Sequence, residues 1–174
     1  LLLLMMVCAG AAEQGMSQWA SVFAESGLGV SKTIGDLAGP CGFALLMGTS
    51  RALYGKFSER LPLRAAMTAS AVMCIVCYAI ASWSGSPVLA LVGCALCGFS
   101  VGIFWPGTFS TAVPAIPGGG TAMFALMALA GDLGCSGGPT LVGFVTGALN
   151  DQLRLGILAG IVFPALLLVG LFTC

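Results

Sequence analysis

Six long apolar stretches, separated by short polar or glycine-rich breaks, fill almost the whole chain. A helix crossing the roughly 30 Å of bilayer hydrocarbon needs about 20 mostly apolar residues, because it rises about 1.5 Å per residue. The pattern therefore predicts six spanning helices, over 1–24, 37–57, 65–83, 87–113, 121–149 and 155–174. Strands of a membrane barrel would alternate apolar and polar positions over about 10 residues, and no stretch does so. The breaks read as links. Residues 26–36 (SGLGVSKTIGD) form a polar outside loop in which Asp36 is placed to cap the next helix. Gly39-Pro40 should loosen the outer end of the second span. The link 114–120 (PAIPGGG) is uncharged and rich in helix breakers, and 150–154 (NDQLR) makes a short outside turn.

Composition turns this helical pattern into a membrane reading. Of the 174 residues, 59% are hydrophobic and 7% are charged, whereas a soluble domain has about 25% charged residues. Lipid must therefore be the solvent, and the expected fold is an all-α membrane protein, a single six-helix transmembrane bundle over 1–174. A formal net charge of zero gives no reason to expect nucleic acid as a partner. The opening Leu-Leu-Leu-Leu-Met-Met lies inside an apolar run without a basic region before it, so a signal peptide is a poor reading. The chain reads as a piece of something longer.

The distribution of charge gives orientation. Arg51, Lys56, Arg60 and Arg64 cluster about the link between spans two and three, while Lys32 and Arg154 lie in links on the other side. The Lys/Arg excess marks cytoplasmic links. This expectation puts both ends of the chain in the cytoplasm and the protein in the cell's inner (plasma) membrane. Eight cysteines include the spacings Cys74/Cys77 and Cys94/Cys97, both in the middle of apolar helices. They read as small apolar packing residues, without disulfides, metal or cofactor. The chain has no histidine, which removes a Ser–His membrane protease. A GxGD aspartyl protease would want Gly where Leu129 stands. No enzyme is expected.

Charged and amide side chains at membrane depth are expensive and therefore informative. The second half of span one holds Glu13, Gln14, Ser17, Gln18, Trp19 and Ser21, and Gln14, Gln18, Ser21 and Glu25 repeat on one helical face. Span five holds Asp132, with Ser136 and Thr140 four and eight residues on, among Gly131, Gly134, Gly137, Gly138 and Pro139. Glu13 and Asp132 both count to near mid-bilayer, where an ionised carboxylate costs about 2.5 kcal/mol or more. Each must be paired, hydrated or protonated, which is the property a proton-coupled carrier needs. Gln14, Gln18, Trp19 and Trp105 are candidates to line a solute cavity. The rival for the amides is helix-to-helix hydrogen bonding, and for the tryptophans interface anchoring. Gly98-x-x-x-Gly102 should let two helices approach closely, and Gly156 and Gly160 should pack a peripheral sixth span.

The link between spans two and three carries Gly55-x-x-x-Glu59-Arg60-x-x-x-Arg64, with Arg51 one turn earlier. It resembles the loop motif of the major facilitator superfamily (G-x-L-x-D-R-x-G-R-R). Glu59 stands where Asp is usual, Pro62 where the second Gly is usual and Leu63 where an Arg is usual, departures that suit the superfamily's weaker second copy of the motif. The Glu13–Trp19 run, 100–107 and 119–134 resemble the seventh, tenth and eleventh helices of such transporters, and the chain is similar to the bacterial fucose-permease-like set. The resemblance implies the C-terminal half of a twelve-helix secondary transporter whose first six helices lie outside this sequence. It implies alternating access for a small solute, with a proton as coupling ion. By resemblance, Arg51, Gly55, Glu59, Arg60 and Arg64 form a gating loop in which Arg51 or Glu59 pairs with charges at a neighbouring helix end. The alternative is a six-span channel or a non-catalytic membrane scaffold, with 131–139 as the candidate filter segment.

Overall fold

The computed structural model describes residues 1–22, 25, 31, 33, 37–58 and 60–173. Among them every regular element is helical. In chain order these are α1 (Leu2–Ser17), a π-helical turn (Leu37–Cys41) leading into α2 (Gly42–Phe57), α3 (Leu63–Trp83), α4 (Pro87–Val101), α5 (Phe104–Ala115), α6 (Gly120–Ala148), α7 (Leu153–Ala159) and α8 (Val162–Thr173). Three helical stretches are long and apolar enough to cross a membrane: Leu63–Trp83, Val88–Ala115 and Leu153–Thr173. They make this a membrane-embedded protein. They coincide with the third, fourth and sixth expected spans. α1 and α2 are shorter, at 16 residues each. α6 is 29 residues long, but Asp132 and its glycines dilute its apolar character.

Two expected spans are bent, and for one reason. A proline lacks the N–H that would bond the carbonyl four residues earlier. Pro106 leaves the Gly102 carbonyl without its helical donor, and the helix breaks into α4 and α5 at Gly102–Ile103. Pro164 does the same to Gly160, whose carbonyl instead accepts from the Phe163 N–H at 3.2 Å, and α7 gives way to α8. Pro40 sits within the π-helical turn, the loosening expected of Gly39-Pro40. Pro139, in contrast, lies inside a continuous α6. The first span also departs from expectation, because α1 ends at Ser17 and a turn follows at Gln18–Trp19. The role expected of Asp36 as a cap, and the positions of Lys32 and Glu59, lie outside the described residues.

Glycine decides which helices touch backbone to backbone. A Cβ on Gly10, Gly134 or Gly138 would collide with the carbonyls of Gly131, Val7 or Ala11 respectively, so α1 and α6 lie in direct contact along a small-residue seam. The glycines of span five therefore serve close packing in an intact helix. Gly98 meets the Phe43 backbone, and a Cβ on Gly102 would lie 2.8 Å from Ser50 Cβ, so the Gly98-x-x-x-Gly102 spacing seats α4 on α2 as expected. Gly156 packs on Thr146 and Val142, and Gly160 on the Tyr78 ring. The core centres on α3, with Tyr78, Cys74, Cys77 and Met67 buried against Cys94, Cys97, Phe104 and Met16. Tyr78 donates its hydroxyl to the Ala12 carbonyl at 2.8 Å, tying α3 to α1. The four CxxC thiols are buried packing groups, with Cys74 and Cys97 sulfurs 3.8 Å apart and Cys94 on the Met16 sulfur.

Candidate solute site

α1 is apolar for its first eleven residues and then presents Glu13, about 17 Å along the helix at the α-helical rise. The carboxylate is buried between helices, where an unpaired charge is costly. Its partner is Arg51, about two and a half turns into α2: Arg51 Nη2 lies 3.3 Å from Glu13 Oε2. The same guanidinium donates its Nε–H to the Gly102 carbonyl at 3.3 Å. That carbonyl is the one Pro106 leaves without a helical donor. One arginine thus neutralises a buried acid on α1 and satisfies the broken backbone between α4 and α5.

This arrangement joins two groups of residues that the sequence kept apart. Arg51 was expected to pair with a charge at a neighbouring helix end. Instead it lies within α2, about 9 Å before the helix ends at Phe57, and reaches a mid-helix acid. Among the other described residues of the expected gating loop, Gly55 lines the same cavity as Arg51, while Arg60 and Arg64 lie apart from it. Gly55 is exposed, with open space where a Cβ would sit. Arg60 is exposed, and the Arg64 guanidinium lies over the Phe172 ring at 5.7 Å.

A cavity of about 590 Å³ opens beside the ion pair, lined by Arg51, Tyr54, Ser58, Trp105, Pro106 and Phe109, among others. Its size falls within the range of small-molecule sites. Trp105 packs its six-membered ring on Gly131 of α6, where no larger residue would leave room. Its indole nitrogen is buried and finds no hydrogen-bond partner among the described residues. Phe109 lies 6.3 Å from the Trp105 ring and 5.5 Å from Phe124, both tilted, so an aromatic ladder runs along this wall.

The remaining candidates sit differently. Gln18 donates to Gln14 at 3.4 Å and Ser21 to Glu25 at 3.4 Å, so the expected polar face of the first span exists as a chain of neighbours. Gln14 is half-buried and Gln18 exposed. The Trp19 indole donates to the Pro139 carbonyl at 3.3 Å and covers Gly143, which makes it a packing contact between the first span and α6. Asp132 is exposed on the outer side of α6, together with Ser136 and Thr140. Those two hydroxyls bond back to the carbonyls of Asp132 and Ser136, while the Asp132 carboxylate has no hydrogen bond or ion pair among the described residues. Cys135 lies within electrostatic reach of both Glu13 and Asp132.

Tyr54, Phe109 and the Gly102 carbonyl escaped the sequence reading. Two signals pointed to them: Tyr54 follows Arg51 by three residues, on one helical face, and Gly102-x-x-x-Pro106 is the spacing that frees a carbonyl. No protein-family model matches the chain, and no curated protein matches it either.

Proposed function

We propose that the chain is the C-terminal six-helix half of a secondary transporter of the major facilitator type, which moves a small solute by alternating access with a proton as coupling ion. The observation that supports it most is the Glu13–Arg51 pair beside the 590 Å³ cavity. A buried carboxylate whose counter-charge is partly open to a solute-sized cavity can exchange its ionic partner for a proton when that arginine moves. The second support is Asp132. A charge on a face that this chain leaves uncovered calls for water or another protein segment over it, since acyl chains would cost it several kcal/mol. The missing six helices would supply that cover, and the solute would lie between the halves near the midplane. The Lys/Arg excess at Arg51–Arg64 supports a reading in which the end of α2 and both chain termini face the cytoplasm, in the cell's inner membrane.

A channel would want a re-entrant filter, and its candidate segment, 131–139, lies inside the unbroken α6. The carrier reading is therefore preferred. In the complete transporter, Glu13→Gln should abolish solute uptake driven by a pH gradient while leaving exchange of labelled for unlabelled solute, and Asp132→Asn should reduce it. Uptake in proteoliposomes that stays pH-driven in both variants would remove proton coupling from the proposal.

A further inference from the structure

The cavity beside Arg51 has a chemical bias that narrows the solute. Among the described residues that line it, Arg51 is charged and no carboxylate borders it. A guanidinium has five N–H donors. One goes to Gly102 and one to Glu13, and the side chain stays 44% exposed, so its other edge faces open space. Trp105 lines the same wall, with its indole nitrogen buried out of reach of the cavity. Pro106 and Phe109 add an apolar surface.

From this geometry we infer that the cavity takes a small organic anion: a carboxylate or similar group held by the free edge of Arg51, with an apolar or aromatic body against Trp105, Pro106 and Phe109. The inference rests on the carrier reading for its setting and adds the substrate class. An organic cation would meet the guanidinium with like charge. A neutral polyol could meet the Tyr54, Ser58 and Ser110 hydroxyls but brings no opposite charge to the guanidinium. A charge-assisted contact exceeds a neutral one by roughly 1–1.5 kcal/mol, which is about tenfold in affinity.

The test compares benzoate, benzamide and benzylamine by titration calorimetry on the complete transporter in lipid nanodiscs. Benzoate should bind saturably and about tenfold more tightly than benzamide, and benzylamine should bind more weakly than either. Arg51→Gln should bring benzoate and benzamide to parity. Arg51→Lys, which keeps a positive charge beside Glu13, should still bind benzoate more tightly than benzamide, so the inference remains testable should the glutamine variant fail to fold. Benzamide or benzylamine binding as tightly as benzoate, no saturable benzoate binding, or a benzoate preference that survives intact in Arg51→Gln would each overturn it. If a neutral solute is still taken up with a Glu13-dependent proton, the anion assignment fails and the carrier stands. If benzoate binds as stated and pH-driven uptake survives Glu13→Gln, the coupling fails and the anion site stands.

Discussion

At the scale of single residues, the absence of a side chain matters as much as its chemistry. Gly134 and Gly137 are three positions apart in α6, yet a methyl group at Gly134 would run into the Val7 carbonyl, while one at Gly137 would meet nothing within 4 Å. Gly134→Ala should therefore destabilise the protein by about 1–3 kcal/mol through overpacking. Gly137→Ala should be neutral or stabilise by up to about 1 kcal/mol, since alanine is the better helix former. Unfolding midpoints in detergent micelles check both, and equal effects would mean that α1 and α6 do not meet along this seam. The composition of span five made its glycines conspicuous, but which of them face a neighbour was decided by where α1 lies.

At the scale of elements, Pro106 shapes the site by subtraction. It breaks the fourth span at Gly102, turns a carbonyl out of the helical ladder and gives Arg51 an acceptor. Pro106→Ala would return an N–H to that position and compete with the arginine for the carbonyl. Hydrogen exchange across 102–106 should slow in the variant as α4 and α5 merge, and the Arg51–Glu13 contact should loosen. Unchanged exchange would assign the break to the close seating of Gly102 on Ser50 instead. The break itself was legible in Gly102-x-x-x-Pro106. The arginine that answers it, 51 positions away in sequence, was not, because local periodicity carries no information about which helix will lie alongside.

At the scale of the whole molecule, charge sets direction and shape sets completeness. The described cysteines divide by exposure: Cys8, Cys74, Cys77, Cys94 and Cys97 are buried, Cys135 in α6 is half-buried, and Cys41 is exposed at the start of α2. The proposed orientation, with Arg60 and Arg64 cytoplasmic, puts Cys41 at the opposite face. In a background with Cys135 and Cys174 both replaced by serine, a membrane-impermeant maleimide added to intact cells should label the protein through Cys41, and Cys41→Ser should remove that label. Labelling that requires permeabilised cells would reverse the orientation. The uncovered polar faces of the first span and of α6 fit the same picture of a bundle made to be covered on one side.

The sequence by itself determined the solvent and the element type, since so few charges and such long apolar runs leave helices in lipid as the workable solution. It also singled out Glu13, because a charge at membrane depth needs a reason to be there, Trp105 as a candidate cavity wall, and Arg51 through the loop resemblance. Only the tertiary structure decided that those three share one site, that Trp19 is occupied in packing and that Asp132 faces outward. Helix periodicity fixes which residues share a face, whereas the partner of that face is set by how small residues let helices approach, a property of pairs of helices.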